Sequence, residues 1–312
     1  MNATRVRPAV AQALAHQRPI VALESALITH GFSHPANLDI ARRMEAAVRE
    51  EGAEPATIAM LDGESHIGLS EAQLVRLASS VGPDRASGET PRKVSLRDLP
   101  IVAAQGRTGG TTVAATMHLA HLVGIRILAT GGIGGVHRGH PEDVSADLTA
   151  LGSIPLTVVC SGAKAILDLP RTRELLETKG VTVVGYGTEE LPAFYSRRSG
   201  LPVDVVLESP EGIARLVRAR NKVGLSTAIL VGVPAPEDVA LSSKEAEKAI
   251  SQATEEAEAS GVKGKDLTPF LLKRIVALTD SRAQRTNEAL LTNNARVAAG
   301  IARALMDAKE NG

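Results

Sequence analysis

The residue best suited to covalent chemistry in this sequence is a lysine at the end of a short apolar run. Lys164 follows Leu156–Val159 through Cys160-Ser161-Gly162-Ala163 and leads into Ala165-Ile166-Leu167. A side chain emerging there lies near the C-terminal edge of a buried strand, where open α/β sheets bind ligands. Burial or a neighbouring cation lowers the pKa of such a lysine and leaves a neutral amine that can attack a carbonyl. Most lysines are simply solvated, and the apolar approach is what separates Lys164 from them. Glu24 ends a second apolar run, Val21-Ala22-Leu23-Glu24-Ser25-Ala26-Leu27. An acid placed there needs a partner, or its pKa rises toward neutrality and it can donate a proton. A structural hydrogen bond is the plainer alternative. Lys164 is thus a candidate nucleophile and Glu24 a candidate acid.

Three other segments could hold an anion or a metal. Ala129-Thr130-Gly131-Gly132-Ile133-Gly134-Gly135-Val136-His137-Arg138-Gly139 follows the apolar stretch Ile125–Leu128. Its glycines would let backbone N–H groups approach a phosphate, with charge-assisted bonds from His137 and Arg138. The spacing matches neither a dinucleotide fingerprint nor a Walker loop, and close packing against a helix explains the glycines equally well. Gly106-Arg107-Thr108-Gly109-Gly110-Thr111-Thr112 precedes a predicted helix. Its amides could bind an anion, and an ordinary N-cap by Thr111 or Thr112 is the alternative. In Pro141-Glu142-Asp143-Val144-Ser145-Ala146-Asp147-Leu148, the oxygens of Asp143, Ser145 and Asp147 alternate along the chain. Hard oxygen ligands suit Mg²⁺ or Mn²⁺, whereas helix capping by Ser145 accounts for the same residues without a metal. Cys160 has no histidine near it in sequence and reads as a small apolar residue.

The elements that must position these groups alternate between strand and helix. Residues 5–17 predict a helix, 19–23 a buried strand, and 37–51 a helix that Asn37 caps and Gly52 closes. Strands are predicted at 57–61, 101–105, 125–130, 156–161, 181–186, 203–207 and 226–232, with a turn at Asp62-Gly63, a Gly/Thr-rich turn at 106–112 and a helix at 113–123. Residues 82–92 read as an exposed Gly/Pro/Ser-rich loop, and the chain is helical from Ser242 onward. The alternation predicts a single domain over 1–312 of the α/β class: three layers, α/β/α, around a mainly parallel or mixed central sheet, with a helical C-terminal part packed on that sheet or on a neighbouring subunit.

Composition narrows the function. Of 312 residues, 44% are hydrophobic but only 2% aromatic, so the core is built from Ala, Val, Leu and Ile. Lys plus Arg and Asp plus Glu both number 35, which leaves no surplus to neutralise a polynucleotide backbone. With few rings to stack bases, no nucleic-acid partner is expected. A single cysteine fits a reducing compartment. Arg5, Arg7, His16 and Arg18 break up the N-terminal apolar pieces, so neither a secretory signal nor a membrane span is expected and the cytoplasm is the expected location.

Taken together, the ordered motifs resemble the pseudouridine-5′-phosphate glycosidase family, also called indigoidine synthase A-like. The resemblance runs over nearly the whole chain. It includes Ala22-Leu23-Glu24-Ser25 with Thr29-His30-Gly31, Pro35 and Asn37-Leu38, then Pro55-Ala56-Thr57-Ile58-Ala59 and Lys93-Val94-Ser95 with Arg97-Asp98-Leu99. It continues through Gly110-Thr111-Thr112-Val113-Ala114-Ala115-Thr116, the glycine loop, Asp143-Val144-Ser145-Ala146-Asp147-Leu148 and Cys160-Ser161-Gly162-Ala163-Lys164. Leu267-Thr268-Pro269-Phe270-Leu271-Leu272 and Asn293-Asn294-Ala295-Arg296-Val297 complete it.

The resemblance implies a reversible lyase or glycosidase that cleaves the C–C glycosidic bond of pseudouridine 5′-phosphate to uracil and ribose 5-phosphate. It implies that Lys164 forms a Schiff base with C1 of the ring-opened ribose, that Glu24 donates a proton, and that Asp143 belongs to a Mn²⁺ site at which Mg²⁺ is also chemically acceptable. Lys93, Val113, Ser145, Ala146 and Asp147 match substrate-binding positions. Thr130, His137 and Asn287 fall at phosphate or sugar contacts, with Asn293 and Asn294 as rivals to Asn287. It also implies a homotrimer. The chemistry suits these residue types. A C-glycosidic bond has no heteroatom leaving group for paired carboxylates to protonate, so an imine serves as the electron sink instead. Two other readings keep the same residues: a Schiff-base enzyme for another C-nucleoside phosphate or sugar phosphate, and a non-enzymatic sugar-phosphate sensor in which Lys164 only pairs with the ligand.

Overall fold

The computed structural model describes residues 4–82, 90–262 and 267–307. Most of the predicted 82–92 loop, residues 83–89, therefore lies outside the described residues.

The first half of the chain runs β1 (Thr4–Val6), α1 (Pro8–Ala15), β2 (Ile20–Leu23), a π-helical turn at Leu27–Gly31, α2 (Ala36–Glu50), β3 (Glu54–Leu61), β4 (Glu64–Ile67) and α3 (Glu71–Ser79). β5 (Arg92–Val94), α4 (Leu99–Ala104), β6 (Gly109–Thr111), α5 (Val113–Leu122) and β7 (Ile127–Ala129) follow. Next come β8 (Val136–His137), β9 (His140–Val144), α6 (Ala146–Leu151), β10 (Thr157–Cys160), β11 (Leu167–Asp168), α7 (Leu169–Thr178) and β12 (Thr182–Tyr186). β13 (Val205–Leu207), α8 (Pro210–Lys222) and β14 (Ile229–Gly232) complete the sheet, and α9 (Ser243–Ala259), α10 (Leu267–Leu278) and α11 (Arg282–Asp307) close the chain.

Among the described residues eleven strands form one mixed sheet in the order β1-β4-β3-β2-β7-β10-β14-β12-β13, with β6 and β5 attached beside β3. From β3 through β2 to β13 every pair is parallel. Strands such as Ile20–Leu23, Thr157–Cys160 and Ile229–Gly232 are buried at every position, which is the reason they read as unbroken apolar runs. The antiparallel pairs are at the β3 end, where the Asp62-Gly63 turn folds β4 back on β3 and β6 pairs with Ala59 and Met60. A small second sheet, β11-β8-β9, stands apart.

The helices make the outer layers of a three-layer α/β/α sandwich. α11 lies across β2, β7 and β10 and against α2 and α8, while α5 packs on β2 and β3 and against α6. The buried positions of α11 include Ala283, Ala295, Ala298, Ala299 and Ala302, small side chains that allow close approach to the sheet. The helical C-terminal part thus packs back on the sheet of its own chain. Among the described residues no helix is long and apolar enough to cross a membrane.

Several local expectations are corrected. Residues 5–17 are not one helix: Thr4–Val6 pairs as a strand with Ser65–Ile67, and the helix begins at Pro8, whose fixed φ and missing N–H suit a first turn. The run Ile101-Val102-Ala103-Ala104 is helical rather than a strand, because Pro100 occupies the first turn of α4 and Ser95 and Asp98 make a reciprocal capping box just before it. The strand there is Gly109–Thr111, inside the stretch read as a turn. Asn37 does not cap α2. It is buried within the helix and its Nδ2 donates to the carbonyls of Ile28 and Ala78, both at 2.9 Å.

Candidate active site

Parallel pairing sets Leu23, Ala129 and Val159 side by side. The next residues, Glu24, Thr130 and Cys160, leave the C-terminal edges of three adjacent strands together. A cleft enclosing about 710 Å³, its open mouth included, forms at this edge. Its polar lining is Glu24, His30, Lys93, Thr130, Lys164 and Asn287, and Leu27, Phe32, Phe194, Leu272 and Leu291 supply apolar walls. Five of the residues singled out from the sequence thus converge: Glu24, Lys93, Thr130, Lys164 and Asn287.

Glu24 is 6% exposed. Its Oε2 accepts the Leu27 amide at 3.0 Å, and Thr130 Oγ1 donates to Oε1 at 3.4 Å. Burial raises its pKa, which the charge of Lys164 and the amides of Leu27 and Ala26 oppose and the charge of Asp147 assists. A carboxyl held in this way keeps its proton to higher pH than an ordinary glutamate.

Lys164 is placed by the glycine loop. Its amide donates to the Ile133 carbonyl at 3.0 Å, and the Ser161 amide donates to Gly131 at 2.8 Å, so residues 131–133 run beside 161–164 as an extra parallel segment. Close approach explains the glycines. A Cβ at Gly132 would meet the Phe194 ring at 2.7 Å, and at Gly134 and Gly135 it would collide with Ser145 and Thr172. None of the four glycines adopts positive φ. Arg138 is engaged within the chain: it donates to the carbonyls of Ala165 and Leu167 and pairs with Glu247.

Asp147, buried near the start of α6, accepts the Gly134 amide at 2.8 Å and the Ala114 amide at 2.9 Å. The N-terminus of α5 therefore does hold an anion, the chain's own carboxylate. Thr112 provides the ordinary cap, accepting the Ala115 amide at 3.4 Å. Ser145 caps α6 by accepting the Asp147 amide at 3.2 Å. Val113, Ser145, Ala146 and Asp147 are thus gathered beside the glycine loop and do not line the cleft itself, although the charge of Asp147 reaches both Glu24 and Lys93.

His137 and Asp143 face each other across β8 and β9, with His137 Nε2 3.9 Å from Asp143 Oδ2. The Asp143 carboxyl is 64% exposed, and neither residue lines the cleft. Among the described residues no group of three or more His, Cys, Asp or Glu side chains gathers as a metal cluster. Two of the three asparagines take different places. Asn287 lines the cleft, whereas Asn294 is fully buried and its Nδ2 donates to the Thr130 carbonyl at 2.9 Å and to Ser161 Oγ at 3.2 Å. Asn294 braces the strand edges.

His30 is a lining residue to which sequence reasoning gave no role, although it lies six positions beyond Glu24. Burial, then the charges of Lys93 and Lys164, hold its pKa down to about 4, so the ring is neutral near pH 7. Thr29 Oγ1 lies 2.7 Å from its Nδ1. Lys93 remains open to solvent as a residue, yet the protein packed around it and then the like charge of Lys164 hold it below the ordinary lysine range, against the pull of Asp147, Glu24 and Asp143. Phe194, Leu272 and Leu291 were also missed. They reach the cleft from distant segments, and nothing local marks them.

The arrangement combines a lysine, a buried acid of raised pKa and a second lysine around a half-apolar cleft, a set suited to imine chemistry on an anionic sugar. The family profile described as indigoidine synthase A like protein matches residues 9–304. A pseudouridine-5′-phosphate glycosidase of Paracoccus denitrificans is 51% identical over 300 residues, covering 96% of this chain and 97% of that protein. One from Caldanaerobacter subterraneus is 50% identical over 295 residues, covering 94% of each. Among solved structures, the prealnumycin C-glycosynthase AlnA in complex with ribulose 5-phosphate superimposes with a TM-score of 0.89 at 35% identity over 99% of both chains. An indigoidine synthase A-like protein from Thermotoga maritima superimposes with a TM-score of 0.84 at 36% identity, over 92% of this chain and 93% of that one. With sequence, fold and extent in agreement, this chain belongs to the indigoidine synthase A-like family.

Proposed function

We propose that this chain is a pseudouridine-5′-phosphate glycosidase, cleaving the C–C glycosidic bond reversibly to uracil and ribose 5-phosphate. The observation that carries the reading is the opening of Lys164 and Glu24 onto one cleft, with Glu24 buried and its pKa raised by that burial. The names of relatives half-identical over nearly their whole length support it, as does the C-glycosynthase bound to a five-carbon sugar phosphate.

In this reading the Lys164 amine attacks C1 of the ribosyl unit, the C1–O4 bond breaks, and the ring oxygen takes a proton from Glu24. The attached nitrogen gives its extra proton to the Glu24 carboxylate, its lone pair then forms the C=N bond as the C–C bond breaks, and the released pair on the uracil carbon takes that proton back from Glu24. Water hydrolyses the resulting iminium, returning the lysine and ribose 5-phosphate. Lys93 supplies positive charge for the phosphate, with Thr130 and Asn287 at the cleft wall orienting the substrate and Asp147 holding the glycine loop beside it. Remote binding of the phosphate is then available to position C1.

A divalent ion, Mn²⁺ or Mg²⁺, fits Asp143 through its open carboxylate, since such ions keep several waters and need only one or two protein carboxylates. It would supply charge neutralisation toward the phosphate.

The test is borohydride reduction in the presence of ribose 5-phosphate. One sugar phosphate added at Lys164, and no addition to a folded Lys164→Ala enzyme, is the expected result. A folded wild-type chain that gains no adduct rules out the imine. A second reading is favoured by the neighbour described as a prealnumycin C-glycosynthase: the same machinery would serve another C-nucleoside phosphate. Comparing uracil release with release from other C-nucleotides separates the two.

A further inference from the structure

Arg138 stands in the glycine-loop motif, where it reads as a phosphate ligand, yet its guanidinium is turned to the segment that carries Lys164. Nε donates to the Leu167 carbonyl at 3.1 Å and Nη2 to the Ala165 carbonyl at 3.3 Å. The same guanidinium meets Glu247 of α9 in a fork, Nη1 to Oε1 at 2.6 Å and Nη2 to Oε2 at 3.1 Å. The fixed planar geometry of Arg allows these bonds together, which a single ammonium cannot reproduce.

The rest of the Lys164 segment shows what those two bonds add. The Lys164 amide is held by Ile133, and its carbonyl accepts the Leu167 amide at 3.0 Å, closing a tight turn. Leu167–Asp168 pairs with Val136–His137, immediately before Arg138. The carbonyls of Ala165 and Leu167 point out of this turn, and Arg138 is the group that ties both of them down. Glu247 in turn fixes the guanidinium. α9 packs on α10, whose Leu272 lines the cleft, so one side chain links the turn bearing the nucleophile to the helices that wall the site.

We infer that Arg138 is a positioning residue for Lys164, holding the turn at residues 164–167 so that the amine meets C1 of the sugar, with Glu247 holding Arg138 in that orientation. The inference rests on the imine reading above. It differs from a role in phosphate binding because the guanidinium donates to carbonyls and a carboxylate within the chain. Misplacing a reacting group by about 1 Å costs on the order of a hundredfold in rate without necessarily weakening binding.

The experiment compares wild-type enzyme with Arg138→Met, Arg138→Lys and Glu247→Gln. It measures the rate of borohydride trapping at saturating ribose 5-phosphate, kcat and KM for uracil release, and Tm. Arg138→Met is expected to lower both trapping rate and kcat about ten- to a hundredfold with KM within about threefold of wild type. Arg138→Lys should fall between, and Glu247→Gln should lose only a few-fold, since the bonds to the carbonyls remain. Wild-type trapping and kcat in folded Arg138→Met would overturn the proposal, whatever its Tm. So would a raised KM at unchanged kcat, which would make Arg138 a substrate ligand. If Arg138→Met does not fold, Arg138→Lys and Glu247→Gln carry the test, and full kcat in both overturns it. A wild-type enzyme that traps nothing defeats the imine reading instead, a result distinct from any of these.

Discussion

The Asp147 carboxylate accepts the Gly134 amide at 2.8 Å through one oxygen and the Ala114 amide at 2.9 Å through the other. One buried side chain therefore joins the glycine loop to the first turn of α5, and so fixes the loop along which Lys164 is aligned. Asp147→Asn keeps the size but turns an NH₂ toward one of the two amides. Leaving a buried donor unsatisfied costs about 1–3 kcal/mol, more where a charged acceptor is removed. A lowered midpoint in urea at unchanged slope, together with reduced activity, is the expected result. Stability equal to wild type would show that the two amides find other partners.

Glu24 couples activity to a stability cost. Burial raises its pKa above the ordinary 4.5, so folding favours the protonated form. Its contribution is fully present below about pH 4.5 and is lost as pH rises through the folded-state value. Glu24→Gln, which cannot ionise, should therefore be more stable than wild type at pH 8, with the advantage shrinking as pH approaches 4.5. The same variant should lose on the order of a hundred- to ten-thousandfold in uracil release. Thermal melts across pH check the first claim. An advantage that grew toward acid would reverse the assignment.

His30 makes the opposite demand. Its pKa is held down to about 4, first by burial and then by Lys93 and Lys164. Folding therefore favours the neutral ring, and the stability that this confers is present above the unfolded value near 6.5 and is lost as pH falls toward 4. His30→Gln should flatten the loss of stability between those pH values. Nitrogen shifts of the imidazole should change near pH 4 in the wild-type chain, and a midpoint near 6.5 would mean that the ring is solvated.

Two asparagines seven residues apart on α11 should separate cleanly. Asn294→Ala removes the donor to Thr130 and Ser161 in a buried setting and should cost about 1–3 kcal/mol of stability. Asn287→Ala, at the cleft wall, should leave Tm nearly unchanged and raise KM. Equal effects on Tm would erase the distinction drawn between a brace and a ligand.

Much of this was legible in the sequence, and what was missed has a physical pattern. The strands that carry Glu24, Thr130 and Lys164 are buried on both faces and announce themselves as unbroken apolar runs. Ile101–Ala104 was ambiguous because a short apolar run fits a strand or a buried helix equally, and Pro100 was the signal that decides it. The sequence left the glycine loop open between an anion site and close packing, because the partners of the loop and of Arg138, Thr172, Phe194 and Glu247, lie tens of residues or more away in sequence. Local spacing records that a backbone must be approached closely, and it does not record what approaches it.

The position of α11 has a consequence for how the chain is made. This helix, about 39 Å long by its rise per residue, covers β2, β7 and β10 and supplies Asn287 and Leu291 to the cleft, yet it begins at Arg282. Synthesis has delivered the sheet through β14 by Gly232, fifty residues before that helix begins to appear. Until α11 emerges, those three strands lack the helix that packs on them, and the catalytic edge lacks Asn287 and Leu291.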